Sequence, residues 1–260
     1  MSHPLIVSAP SLELPLTICV LAYGPHVHLA QRFLDSLYGT VDSSLFRLRA
    51  GLNEAESSTL TAFESYAERF GNVELFVEPI NRFKSPLMRR MFHGPPIATK
   101  WTIWCDDDTH FTRSDWFQRL ALKIESVPGT AMWGMPHRLW SHDDSIIKWI
   151  QAAAWYRGLP ISRGVDLEGN QAWMFQFATG AFWAIRTEIL RQLDWPDPRL
   201  VQANDDFLLG EALRQNSLVL GGFQYGVQIN DALRRNAHAQ QVNKLAGPFQ
   251  SSARYEAESL

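Results

Sequence analysis

Trp101-Thr-Ile-Trp-Cys-Asp106-Asp107-Asp108-Thr109 is an apolar run that stops on three successive carboxylates. Trp101 to Cys105 carries no charge and does not alternate. That is the pattern of a strand covered on both faces, as in a parallel sheet. In open sheets of this kind ligands gather at the carboxyl ends of the strands, where Asp106, Asp107 and Asp108 fall. Adjacent carboxylates repel one another, so they belong on a solvated turn or opposite a divalent cation. Mn2+ and Mg2+ take hard oxygen ligands of this type. Residues i and i+2 of an extended segment point the same way, which lets Asp106 and Asp108 face one site. Spacing alone does not separate the acidic turn from the metal site.

Working outward, the same kind of strand recurs. Leu16 to Ala22, Leu45 to Gly51 and Val73 to Val77 read as strands. Between them Ala30, Phe33, Leu34 and Leu37, then Leu60, Phe63, Tyr66, Ala67 and Phe70, lie at helical spacing. Ser85-Pro86 predicts a helix start, with Ser as cap and Pro in the first position. Ser114 predicts the cap of a helix carrying Phe117, Leu120, Ala121 and Ile124. Strands alternating with helices predict an α/β fold: a mostly parallel central sheet with helices on both faces, in a single domain. The second half is less regular. A short strand is expected over Thr130 to Met135, a helix over Ser145 to Tyr156, and a loop over Pro160 to Gln171. Trp173 to Ile185 is an apolar, aromatic stretch interrupted at Thr179-Gly180. Helices are expected from Thr187 to Leu193 and from Asn204 to Gln215, with a short strand from Leu218 to Leu220. Residues 1–15 form a lead-in and 236–260 a polar tail.

The composition narrows the function classes. The chain has 260 residues, 46% hydrophobic and 20% charged, which suits a globular protein and not a disordered one. A net charge of -3 provides no global basic footprint for nucleic acid. Cys19 and Cys105 sit inside apolar strands, so buried free thiols are expected rather than a disulfide framework. No Cys/His cluster has zinc spacing. The apolar run Leu14 to Tyr23 is too short to span a bilayer, and a cytoplasmic enzyme is expected. Ten tryptophans suit a core, and also stacking on sugars or bases.

A second acidic stretch, Asn204-Asp205-Asp206-Phe-Leu-Leu-Gly210, lies about one hundred residues past the first. By itself it reads as helix capping and dipole stabilisation. Asp106-Asp107-Asp108-Thr109-His110-Phe111 resembles the Asp-Asp-Asp-Thr-Tyr-Val form of the DXD motif in Fringe-type and related β-galactosyltransferases. Asp205-Asp206-x-x-x-Gly210 is similar to the acidic base motif of those enzymes and of family-two glycosyltransferases. Both have the GT-A fold, a Rossmann-like sheet. The resemblance covers roughly residues 16–230, and it implies a GT-A domain at 16–235 with a nucleotide-sugar half at 16–111 and an acceptor half at 112–235. It departs from the pattern at His110 and Phe111.

The resemblance implies an inverting transfer from a nucleotide sugar, a UDP-sugar first, to an acceptor hydroxyl with Mn2+ or Mg2+. Asp108 is implied as main metal ligand, Asp106 as a direct or water-mediated ligand, and Asp107 as a contact to sugar or ribose. Asp206 is implied as the base that takes the acceptor proton, with Asp205 as the alternative. Donor contacts are expected from Ala22, Tyr23 and Gly24 after the first strand and from Asn53 and Glu54 after the second. Arg82, in a basic stretch with Lys84, Arg89 and Arg90, is expected near the diphosphate. Gly180, Trp183 and His137 are expected on the acceptor side, and His238 as a further metal ligand. The acceptor is a glycan, a small molecule or a modified nucleic acid. Fringe-like enzymes are ordinarily secretory, with an anchor and disulfides. This sequence is therefore expected to be a bacterial or viral cytoplasmic relative. A phosphohydrolase fits poorly, because position i+4 from Asp106 is His110. A nucleotidyltransferase would carry a glycine-rich basic loop where Tyr23-Gly24-Pro25-His26 stands. A non-catalytic carbohydrate- or nucleic-acid-binding protein would need no metal.

Overall fold

The computed structural model describes residues 15–202, 205–229 and 254–257. The first half alternates as expected: β1 Leu16–Tyr23, α1 Val27–Thr40, β2 Phe46–Asn53, α2 Ser57–Phe70, β3 Val73–Glu78, α3 Lys84–His93 and β4 Trp101–Asp106. The second half runs β5 His110–Phe111, α4 Trp116–Ser126, β6 Thr130–Ser141, α5 Asp144–Gln151, β7 Arg163–Val165, β8 Gln171–Arg186 and α6 Thr187–Gln192. It ends with α7 Asp205–Gln215, β9 Val219–Gly222, β10 Val227–Gln228 and β11 Arg254–Ala257.

Among the described residues one nine-stranded sheet has the path β11-β6-β8-β4-β1-β2-β3, with β7 on β8 and β9 on β6. Strands β3, β2, β1 and β4 are parallel neighbours, and β8 runs antiparallel to β4 and to β6. The chain leaves β1 toward β2 on one side and later returns to β4 on the other. This reversal opens a crevice at the carboxyl ends of β1 and β4. Tyr23, Asp106 and Asp108 lie half-buried at that end of the sheet.

The apolar runs are buried on both faces because successive side chains feed two cores. From β1, Cys19 and Leu21 enter the core covered by α3, α5, α6 and α7, while Ile18, Val20 and Ala22 enter the one covered by α1, α2 and α4. Both cysteines are buried free thiols, and burial pushes the Cys19 thiol up to about 12. A thiol held protonated in this way is a packing group and not a nucleophile.

Several local expectations are corrected. Helix α3 starts at Lys84, one residue before Ser85, so Ser85 is not its cap. Ser85 is buried, and its N–H donates to Val201 O at 3.1 Å. Pro86 still falls in the first turn, where a missing N–H costs nothing. Helix α4 starts at Trp116 after Asp115, not after Ser114. The short strand at Thr130 is the start of twelve-residue β6, which passes Pro136 through a register shift. Such an irregularity is where a sheet tolerates a proline. The loop at 160–171 contains β7, and β8 spans Gln171–Arg186 with its ladder interrupted at Thr179-Gly180, where the pairs with β6 stop at Ala178 and resume at Trp183. No described helix is long and apolar enough to cross a membrane.

Candidate active site

The three carboxylates have three different surroundings. Asp106 ends β4, and its Oδ1 accepts from Trp104 Nε1 at 3.1 Å. Asp107 turns inward, 1% exposed, and its Oδ2 accepts from the Tyr23 backbone N–H at 3.4 Å. Asp108 is half-buried on the turn, with Arg32 donating to its carbonyl at 3.5 Å. The turn is closed by Thr109 N–H on Asp106 O at 3.0 Å and pinned to β8 by Thr109 Oγ1 on Ala181 O at 2.7 Å.

Asp205 and Asp206 arrive from the far side of the fold on the first turn of α7. That helix can approach because Gly210 has no side chain. A Cβ there would lie 2.2 Å from Gln176 O and 2.7 Å from Phe177 Cβ, both on β8. Gly180 is close in the same way: its Cβ would meet Lys84 Nζ at 3.2 Å and Asp206 Cβ at 3.4 Å. The two acidic stretches are thus brought together by two points of glycine packing against one strand.

Lys84 joins them. Its Nζ lies 3.3 Å from Asp106 Oδ1, 3.2 Å from Asp205 Oδ2 and 3.5 Å from Gly180 O. Its face rests on the Trp104 ring, 5.6 Å from the centroid. Burial by itself would favour the neutral amine. Asp106, Asp205 and Asp206 outweigh it and hold the Lys84 pKa above the ordinary lysine value. Each close pair contributes about 4–5 kcal/mol of attraction at an effective dielectric near 20. Two such pairs offset a desolvation cost of several kcal/mol per ion.

Asp206 has the opposite balance. Desolvation, then the charge of Asp205, push its carboxyl up to about 7, against the pull of Lys84 and the backbone N–H groups of Phe207 and Gly180. A carboxylate poised near neutrality is suited to accept a proton.

The entry to α3 shows how Lys84 is aimed. Phe83 adopts φ 64°, a left-handed conformation that costs a bulky residue about 1–3 kcal/mol. Two amide side chains, the buried Asn53 and the half-buried Asn81, enforce it. Asn53 Oδ1 accepts from Arg82 N–H at 2.8 Å, and Asn53 Nδ2 donates to Asn81 Oδ1 at 2.9 Å. Asn81 Oδ1 also accepts from Phe83 N–H at 2.7 Å. Docking of α3 through Leu87, Met88, Met91 and Phe92 contributes about 6–12 kcal/mol, at about 1.5–3 per buried side chain, which exceeds the strain.

The other expected site residues fall as follows. Ala22 is buried at the end of β1; Tyr23 and Gly24 edge the crevice, Gly24 at φ 61°. Glu54 is exposed at φ 50°, its N–H on Glu78 O at 2.8 Å. Arg82 is 58% exposed and pairs with Glu78 at 3.4 Å, away from the carboxylates. Arg89 binds Asp194, and Arg90 binds Glu78, so in the basic stretch it is Lys84 that reaches the acidic residues. Trp183 is corrected: at 1% exposed it stacks on Trp104, centroids 6.1 Å apart, as a core side chain and not a sugar platform. Asp107 is corrected likewise, since its buried carboxylate faces the backbone of β1. His137 lies on β6, stacked on Phe177 at 5.8 Å. His238 lies outside the described residues.

The donor set suits a cation completed by substrate. Asp106 and Asp108 offer hard oxygens on one turn, yet no group of three or more His, Cys, Asp or Glu is gathered for a metal among the described residues. Mg2+ is ordinarily held by one or two carboxylates plus substrate phosphates and water, so this pair fits such a use and not a closed protein cage.

Comparison with known proteins bears on the fold. No family model and no curated protein matches by sequence. Among solved structures, the mannosyltransferase PcManGT from Pyrobaculum calidifontis, in complex with GDP-Man and Mn2+, is similar at TM-score 0.60 and 14% identity over 93% of this chain and 64% of that one. S. aureus TarS 1-349 is similar at TM-score 0.54 and 13% identity over 82% and 58%. A complex of TarS 1-349 with UDP-GlcNAc gives TM-score 0.50. The chain spans about three-fifths of the length of these structures. With its crevice at the β1–β4 reversal and its two acidic stretches meeting there, this chain has the GT-A fold of the glycosyltransferases.

Proposed function

We propose that the protein is a glycosyltransferase that moves a sugar from a nucleoside-diphosphate sugar to an acceptor hydroxyl, with inversion at the anomeric carbon. The observation that carries this reading is the meeting, across about one hundred residues of sequence, of Asp106 and Asp205 on one half-buried ammonium at the carboxyl end of the sheet. The fold supports it, because PcManGT binds GDP-Man and TarS binds UDP-GlcNAc.

Asp206 is the base in this reading. Asp205 is paired with Lys84 at 3.2 Å, whereas burial and the charge of Asp205 push the neighbouring Asp206 carboxyl up to about 7. Asp206 accepts the proton of the acceptor hydroxyl as its oxygen attacks the anomeric carbon and the bond to the diphosphate breaks. Asp108, with Asp106, would hold Mn2+ or Mg2+ against the diphosphate. When bound, such an ion neutralises charge on the leaving group. Tyr23 and Gly24 border the nucleotide's place, and Gly180 and His137 the acceptor's. UDP-sugars are the first donors to test, GDP-sugars the second.

The test is a thermal-shift screen of UDP-GlcNAc, UDP-glucose, UDP-galactose and GDP-mannose, each with and without Mn2+. Binding to the native state raises the midpoint. The expected outcome is a cation-dependent rise with one nucleotide class, followed by release of the nucleoside diphosphate on turnover. A protein that responds to none of these donors, with or without the cation, is not this enzyme.

A further inference from the structure

We propose that Lys84 is a positioning residue that locks the base-bearing helix to the donor turn. The inference rests on the glycosyltransferase reading and adds to it a residue outside the acidic stretches. An ammonium has three N–H donors. Those of Lys84 meet three acceptors from three elements: Asp106 on β4, Asp205 on α7 and the Gly180 carbonyl on β8. A surface lysine would shed such partners to water. This one is 20% exposed and stands on an indole face.

Its placement is specified on both sides. On its own side, Asn53 and Asn81 force Phe83 into the left-handed region, so the chain enters α3 at Lys84 at one fixed angle. On the opposite side, Gly180 leaves the space that the ammonium fills. The result sets the distance between the donor carboxylates and the base, with Asp205 as the handle by which Asp206 is held. Catalysis is sensitive to that distance, since a misplacement of about 1 Å can cost about a hundredfold in rate.

The experiment is a cycle of Lys84→Met, Asp205→Asn and the double variant, with Lys84→Arg as rescue. The readouts are kcat and KM for nucleoside diphosphate release from UDP-GlcNAc and GDP-mannose, and the far-UV spectrum as a check of folding. Lys84→Met is expected to lower kcat about a hundredfold while KM for the donor changes less than about fivefold. The double variant is expected to be no worse than Lys84→Met, because both changes cut the same link. Lys84→Arg, which keeps the charge, is expected to recover at least about a tenth of the wild-type kcat. Lys84→Gln replaces Lys84→Met if the latter does not fold. A kcat within threefold of wild type in the uncharged variant, or losses that multiply in the double variant, would overturn the proposal. Wild type that neither binds nor turns over a sugar nucleotide removes the glycosyltransferase reading and this inference with it. An active wild type with an unaffected Lys84 variant removes the inference alone.

Discussion

Lowering the pH perturbs the proposed base without changing a residue. Asp206 is pushed up to about 7 in the free protein. A single group of that pKa is about 90% ionised at pH 8, half ionised at pH 7 and about 9% ionised at pH 6. If the ionised form alone accepts the acceptor's proton, kcat/KM falls about tenfold from pH 8 to pH 6, and about tenfold more per unit below that. The assay is the initial rate of nucleoside diphosphate release at subsaturating donor, from pH 5.5 to 8.5 at constant ionic strength. The sign of the stability effect separates titration from unfolding. Between its ordinary 3.8 and about 7, Asp206 holds more proton in the folded than in the unfolded state. The slope of unfolding free energy with pH is then negative for this group, and its contribution declines as pH rises through 7. Rate and this stability term move in opposite directions, so a rate lost at pH 6 is not this site unfolding. Asp206→Asn is expected to lose about 100- to 10,000-fold and to flatten the profile. A wild-type midpoint near 4, or an Asp206→Asn variant with the wild-type profile, would refute the reasoning.

Other outcomes follow from single contacts. Asp108→Ala is expected to remove the Mn2+-dependent part of the thermal shift with sugar nucleotide while the unliganded midpoint stays within a few degrees; an unchanged cation dependence argues against Asp108 as ligand. Gly210→Ala places a Cβ 2.2 Å from Gln176 O, so α7 must withdraw from β8. Overpacking of this kind costs about 1–3 kcal/mol, and at about 2–4 °C per kcal/mol the midpoint drops by about 2–12 °C, with kcat lowered as Asp206 moves. Trp183→Phe removes a buried indole stacked on Trp104. Denaturant unfolding is expected to show a loss of stability on the order of 1–3 kcal/mol, with acceptor KM unchanged; a raised KM at full stability restores Trp183 to the acceptor site.

The site was partly legible and partly not, for physical reasons that individual residues make plain. Asp106, Asp108, Asp205 and Asp206 stood out because a charge cluster at the end of an apolar run is a one-dimensional signal. Lys84 did not stand apart from Arg82, Arg89 and Arg90, because in sequence they are four equivalent cations on one stretch. Only the three-dimensional partners distinguish them: Glu78 for Arg82 and Arg90, Asp194 for Arg89, and the two acidic stretches for Lys84. Asn53 was noticed for its place after β2, but its actual work, holding the turn at Phe83, depends on Asn81 from the next connection.

By itself the sequence determined the parallel half of the sheet. Continuous apolar strands and 3.6-spaced helical stripes are local patterns, and β1 to β4 kept to them within one or two residues at each end. It also determined the acidic ends at which chemistry gathers. Tertiary structure decided the rest. Strand β8 resumes beyond Thr179-Gly180 because pairing with β6 up to Ala178, and with β4 and β6 from Phe182 and Trp183 onward, holds both sides of the interruption. Trp183 and Asp107 turned inward because neighbours distant in sequence, Trp104 and the backbone of Tyr23, take them up. The opening run of apolar residues and carboxylates announced a site; which carboxylate faces the backbone, which faces Lys84 and which stays on the turn was set by contacts between residues about twenty to about eighty positions apart.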